Sequence, residues 1–206
     1  PLPLKLAEVQ SIEGGGHHSF FLKKDGSLWA TGYNYYGQLG DGTKTNRSKP
    51  VKIINGEVKA ATAGAYHSLI LKKDGSLWAM GRNYHGELGD GSRTLRSKPV
   101  LVLSDGVENI AAGYYHSLIL KKDGSLWTMG RNSYGQLGDG SKNDRNRPVK
   151  VVSNGVNAIS GGAWHSLFLK QDGSLWAMGR NSYGQLGDGT KNDRYRPVRI
   201  LPEGVK

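Results

Sequence analysis

Apolar positions along this chain fall in short runs separated by glycine-bearing turns, and no segment sustains a helical period. In the stretch 107–152 the runs Val107–Ala112, His116–Lys122, Ser125–Arg131 and Pro148–Val152 read as four strands. They carry Val, Ile, Leu and Trp at lengths that suit β-structure. In His-Ser-Leu-Ile-Leu (116–120) the apolar residues are nearly continuous instead of alternating, which predicts a sheet covered on both faces. The first strand ends in small residues, Ala111, Ala112 and Gly113, and its counterpart in Ser160, Gly161 and Gly162, as expected where backbones converge. Lys-Asp-Gly-Ser between the second and third strands predicts a two-residue hairpin turn, with Asp-Gly supplying the positive φ angles.

The same pattern is written four times. Trp29, Trp78, Trp127 and Trp176 are spaced 49 residues apart, and His18, His67, His116 and His165 keep the same step, as do Asp41, Asp90, Asp139 and Asp188. The stretches 116–148 and 165–197 differ at only five positions. The repeat gives one array of units at approximately 1–49, 50–98, 99–147 and 148–196, with 197–206 beginning a fifth. A fixed period near 50 residues points to solenoids, propellers or arrays. Four-stranded sheets packed on both faces and narrowing to small residues at one edge describe β-propeller blades. A β-solenoid fits less well, because its coils are shorter and lack a tight hairpin in each repeat. The expected fold is therefore all-β: four propeller blades of about four antiparallel strands each.

The repeated wording, Ala-Gly-x-x-His-Ser-Leu-x-Leu-Lys-x-Asp-Gly-Ser-Leu-Trp, then Gly-x-Asn-x-x-Gly-Gln-Leu-Gly-Asp-Gly and Arg-Pro-Val, resembles the repeat of the regulator of chromosome condensation family across essentially the whole chain. The resemblance implies propeller blades, usually seven to a closed ring. It also implies binding functions, since relatives act as nucleotide-exchange factors, chromatin binders and β-lactamase inhibitors. No repeat here carries the long insertion that exchange factors use as a wedge, so exchange activity is not expected.

Composition narrows the chemistry. Cysteine is absent, which removes disulfides, thiolate nucleophiles and Cys-bound zinc. No apolar run approaches the length of a membrane span, and the compartment is not legible. The net charge of +11 suggests an acidic partner, nucleic acid included. However, twelve of the basic residues lie in one repeated loop (Lys44, Arg47, Lys49 and their counterparts) and seven more precede the Asp-Gly turns, so the charge is spread around the array.

The four His-Ser pairs, His18-Ser19 onward, invite a nucleophile reading, but adjacent strand residues point to opposite faces and an enzyme has no use for one triad per blade. No catalytic residue is assigned, and the histidines are expected to be structural. Asp139–Asp144 and Asp188–Asp193 resemble the opening of a calcium loop but lack its glycine and final glutamate, so an Asx-type turn is expected and no metal or cofactor is assigned. Gly-Gln-Leu-Gly-Asp-Gly lacks the ending of a phosphate loop.

Residues common to all repeats build the fold, so positions that vary carry the functional signal. His17, Tyr66, Tyr115 and Trp164 precede the repeated histidine, while Tyr35, Tyr84 and His85 lie in the long connection. In a meander both loops emerge on one face. These seven residues form the expected partner-binding surface, with a protein the expected partner and nucleic acid at the basic loops the alternative. Four blades also leave two unpartnered terminal faces, so a homodimer closing an eight-blade ring is expected. The segments Pro1–Gln10 and Pro197–Lys206 would then compete for equivalent outer-strand positions.

Overall fold

The computed structural model describes residues 8–202. Within these residues there are sixteen strands in four sheets, each a four-stranded antiparallel meander. Blade 1 holds β1 (Val9–Gly14), β2 (His18–Lys23), β3 (Leu28–Gly32) and β4 (Arg47–Ile54). Blade 2 holds β5 (Val58–Ala63), β6 (His67–Lys72), β7 (Leu77–Gly81) and β8 (Arg96–Leu103). Blade 3 holds β9 (Val107–Ala112), β10 (His116–Lys121), β11 (Leu126–Gly130) and β12 (Arg145–Val152), and blade 4 holds β13 (Val156–Gly161), β14 (His165–Lys170), β15 (Leu175–Gly179) and β16 (Arg194–Leu201). No described helix is long and apolar enough to cross a membrane.

The sequence pattern locates every strand of blade 3, but its outer strand starts earlier than expected. After a register shift, Arg145 pairs with Gly130, which extends the ladder upstream of Pro148. The hairpin between second and third strands also differs from the two-residue turn. Only the glycine has positive φ (78° at Gly26), while the Asp25 carboxylate accepts the Ser27 N–H at 2.8 Å. That bond fixes Asp25 before the left-handed glycine, so the loop is the three-residue form with Gly26 at the bulge position.

The core lies between blades. One cluster joins Phe20, Leu22, Leu28 and Leu39 of blade 1 to Val58, Ile70 and Met80 of blade 2. The next two repeat this arrangement between blades 2 and 3 and between blades 3 and 4. Each middle strand thus feeds two interfaces: in β6, Leu69 and Leu71 face blade 3 while Ile70 faces blade 1, and all three are fully buried. The expectation of sheets covered on both faces holds for blades 2 and 3. The end blades break it in a regular way. In β2 buried and half-buried residues alternate, and in β14 His165, Leu167 and Leu169 are half-buried while Ser166 and Phe168 are buried. The four blades are an arc with one open face at each end.

The repeated tryptophans are half-buried, with each of Trp78, Trp127 and Trp176 packed against the cluster shared with the preceding blade. The indole N–H of Trp78 donates to Ser76 Oγ at 3.0 Å. Pro197–Leu201 form part of β16, so blade 4 has its own outer strand. The matching question for residues 1–7 and 203–206 falls outside the described residues.

Burial separates two leucines sharply. Leu88 is 0% exposed at the interface of blades 2 and 3, whereas Leu101 is 46% exposed where the other blades carry Lys52, Lys150 and Arg199. Leu88→Ala should lower unfolding free energy by about 3 kcal/mol. Leu101→Lys should change it by less than about 0.5 kcal/mol in the same urea titration. Equal losses would contradict the interface assignment.

Candidate functional site

Each junction between blades is tied by a three-member hydrogen-bond chain. Ser68 Oγ donates to the Gln38 carbonyl at 2.8 Å, which uses its only proton. The 2.7 Å contact from His18 Nε2 to Ser68 Oγ is therefore an N–H donated by the imidazole. The same chain links His67, Ser117 and the Glu87 carbonyl, and His116, Ser166 and the Gln136 carbonyl. Each histidine thus bonds the serine of the next blade and not its sequence neighbour, as strand alternation requires. The rings fit because a glycine lies beneath each: a Cβ on Gly64 would stand 2.4 Å from His67.

Burial holds these imidazoles neutral. It pulls the pKa of His18 down to about 4, with the charge of His17 adding to the effect. Burial, followed by neighbouring histidines and Arg82, takes His67 to about 3, and burial followed by His165 takes His116 to about 3. Nδ1 of His18 and of His116 is buried with no hydrogen-bond partner, so added protons there would be unsatisfied as well as charged. A buried imidazole bonded in this way is a poor general base, and the serine proton is already committed.

The residue whose carbonyl ends the chain also shapes the loop above it. Gln38 Oε1 accepts the Tyr36 N–H at 3.1 Å, Gln136 Oε1 accepts that of Tyr134, and Glu87 Oε2 accepts that of His85. Burial pushes the Glu87 carboxyl above the ordinary range, against hydrogen bonds and the Arg82 guanidinium 3.6 Å away. Asn34 is the hub of the loop: its amide nitrogen donates to Asp41, Thr43 and Thr45, and its oxygen accepts the Leu39 N–H. Asp41 closes an Asx turn on Thr43 and binds Arg47 at 2.7 Å. Burial opposes its ionisation, but bonds from Thr43, Arg47 and Asn34 prevail and lower its pKa; the same balance takes Asp188 to about 2. The calcium-like segments are Asx turns of this kind, with Asp139 bonded to Ser141, Arg145 and Asn132.

Above this frame the two loop types meet. Tyr33 N–H donates to the His17 carbonyl at 2.9 Å, and Arg82, Arg131 and Arg180 bond Tyr66, Tyr115 and Trp164 in the same way. The residues before each histidine form a row: His17 to Tyr66 at 5.6 Å between ring centroids, Tyr66 to Tyr115 at 6.1 Å, Tyr115 to Trp164 at 5.1 Å. Tyr35 and Tyr84 stand beside the row, largely exposed, and each packs edge-on against Tyr36. His85 touches Tyr115, but its Nδ1 also binds Asp144 at 2.8 Å, so it ties blade 2 to blade 3 as well as facing outward.

All seven candidate residues thus lie on one face. Sequence reasoning missed four more. Arg82 lies over Tyr84 and Tyr115, Arg131 over Trp164, and Arg180 over Tyr134 and Tyr183. Tyr114, 49% exposed, lines a concavity together with Gly15, Gly64, Gly113 and Gly162. Its signal was available: it is the one large residue where the other repeats carry Gly16, Ala65 and Ala163. Five of the twelve loop cations, Arg47, Arg93, Arg96, Arg145 and Arg194, are paired with aspartates, which reduces the free positive charge of the loops.

The profile described as Regulator of chromosome condensation (RCC1) repeat matches residues 25–71, 74–120, 123–169 and 172–206. A second profile of that description matches 9–38, 58–87, 107–136 and 156–185. Among solved structures, Prp20p from Saccharomyces cerevisiae, studied for its binding to Gsp1p and histones, is 27% identical with a TM-score of 0.84. That match covers 97% of this chain and 52% of Prp20p. Yeast RCC1 (Prp20) with Kap60 bound gives 27% identity and 0.83, covering 97% and 50%. Human WBSCR16, 22% identical with a TM-score of 0.68 over 98% of this chain and 70% of its own, shares the fold. The chain spans about half the length of the Prp20 structures it matches.

The buried histidines set a pH dependence. Their folded pKa values lie below the unfolded value of about 6.5, so the unfolded chain binds more protons between the two. Stability should be full above about pH 6.5 and fall as pH drops toward 4, by on the order of 1–2 kcal/mol per buried histidine at pH 5. Asp41 and Asp188 are held low and titrate below this window, while Glu87, held high by burial, works in the opposite direction, so the histidine variant is what isolates the histidine part. Urea unfolding at pH 7.5 and pH 5 should show the loss, and a His67→Gln, His116→Gln variant should show a smaller one. An unchanged difference between the two pH values in the variant would contradict the assignment.

Proposed function

Because this chain belongs to the regulator of chromosome condensation repeat family, we propose that it is a non-enzymatic scaffold that binds a macromolecular partner, a protein, through its aromatic face. The observation that carries this reading is the continuous row His17, Tyr66, Tyr115 and Trp164, flanked by exposed Tyr35, Tyr84 and Tyr114. These positions change identity between copies that are otherwise nearly the same, whereas the frame beneath them repeats. Amphipathic rings and stacked arginines bury large areas at modest entropic cost, which is why they dominate interface hot spots. The carbonyls of the row accept the N–H groups of Tyr33, Arg82, Arg131 and Arg180, and the Gln38-type caps hold the adjoining turns at Tyr36 and Tyr134, so little ordering is left to occur on binding. The relatives agree in kind: Prp20p was studied with Gsp1p and histones, and yeast RCC1 with Kap60.

The histidine and serine groups that would serve hydrolysis are spent on holding blades together, which supports the non-catalytic reading. Pairing of the loop arginines with aspartates favours protein over nucleic acid.

Capture from nuclease-treated lysate, comparing the parent with a Tyr35→Ala, Tyr84→Ala, Tyr114→Ala variant, tests the proposal. The substituted rings are exposed, so the melting temperature should be close to that of the parent. The parent should retain protein at salt that strips electrostatic complexes, and the variant should lose it by about tenfold or more. Retention that disappears with nuclease or moderate salt, and is indifferent to the substitutions, would favour nucleic acid instead.

A further inference from the structure

Every internal junction is assembled from two different half-sites. One blade supplies a histidine N–H, and the next supplies the serine that receives it. The same blade supplies a loop glycine N–H, with Gly42, Gly91 and Gly140 donating to the outer-strand carbonyls of Ser97, Asn146 and Tyr195. A neighbouring glycine takes the close approach of that strand: a Cβ on Gly37 would lie 2.5 Å from Ser97, and one on Gly86 2.4 Å from Asn146.

The arc ends with one half-site of each kind exposed. On the outer face of blade 4, His165 makes no side-chain hydrogen bond among the described residues, and Gly189 N–H donates to no backbone carbonyl. A Cβ on Gly189 would meet nothing within 4 Å, and one on Gly184 only Thr190 of its own loop. Leu201, counterpart of the packed Ile54, Leu103 and Val152, is 44% exposed. On the outer face of blade 1, Ser19 has no histidine partner, and Ile12, counterpart of the buried Ile110, is 71% exposed.

We propose that these faces are each other's occupants: two copies of this chain pack head to tail, blade 4 of each against blade 1 of the other, closing one eight-blade ring. His165 of one copy then donates to the partner's Ser19, and Gly189 to the partner's Ser48, the counterpart of Ser97. The contact repeats an interface that the chain already builds three times, with the same leucines and the same polar pairs. Because the two faces are different, closure requires a two-fold axis through the ring, and eight blades lie within the roughly four to eight of known propellers. No strand exchange is needed, since each blade holds its own outer strand. Thr31 stands where Met80, Met129 and Met178 fill the later junctions, and it bonds Arg47 of its own blade. The junction between copies is thus packed less fully than the internal ones and is the first to open. Closure would also bring Trp164 of one copy beside the partner's His17, joining two aromatic rows into one ring.

Sedimentation equilibrium from about 1 to 100 µM tests this directly. The expected result is a particle of twice the 22.3 kDa chain mass that dissociates on dilution. Ile12→Arg blocks only the blade 1 face and Leu201→Arg only the blade 4 face, and each variant alone should be monomeric. Mixed one to one, they retain one sound junction and should form a heterodimer. Should an arginine variant fail to fold by circular dichroism, Ser19→Ala should still weaken parent association by about tenfold or more, since each of the two junctions loses both the imidazole bond to Ser19 and the bond from its hydroxyl to the partner's carbonyl. A parent that is monomeric at about 100 µM overturns the proposal and leaves the faces to another occupant, such as a further repeat. Dimers that survive both substitutions, or a mixture that stays monomeric, overturn the head-to-tail arrangement.

Discussion

The His–Ser–carbonyl chain at each junction is the constraint from which most of the structure follows. A blade of this size cannot bury both faces alone, so its stability comes from neighbours. Leucines on one face and Ile, Val and Met on the other supply the area, but apolar contact is non-directional and would tolerate sliding. The imidazole, hydroxyl and carbonyl fix the angle and height of one blade against the next. They also account for the smallest residues in the repeat: the glycine beneath each ring is there because a Cβ would overlap the imidazole.

This chain of bonds connects the hidden interface to the exposed one. Gln38 accepts the serine proton through its backbone and caps the Tyr36 N–H through its side chain, so the residue that registers two blades also positions an aromatic-bearing turn. Glu87 does the same for His85. The variable rings therefore sit on a frame whose coordinates are set from below. A repeated scaffold can change its surface in this way, one ring per blade, without disturbing its core.

Much of this was legible from residues alone. Strand positions, the four-fold repeat and the location of the aromatic loops follow from local periodicity and meander parity, which depend only on neighbours in sequence. The long-range pairing of His67 with Ser117 was not legible. Strand alternation turns His67 away from its sequence neighbour Ser68 but does not say where its partner lies, and only the stacking of blades places that partner one repeat onward. The turn at Asp25 was misjudged for a related reason, since its carboxylate binds Ser27 N–H and leaves the positive φ to Gly26 alone. Arginines 82, 131 and 180 looked like dispersed charge until the rings beneath them were placed. Tyr114 was overshadowed by its neighbour Tyr115, although its column of small residues marked it out.

The central claim is that the histidine and the next blade's serine act as one unit, and a double-mutant cycle on His67→Ala and Ser117→Ala measures that unit most directly. The two losses of unfolding free energy should fail to add by about 1 kcal/mol or more, because either substitution alone breaks the same chain. Losses that add to within about 0.3 kcal/mol would show two residues contributing independently and would contradict the account.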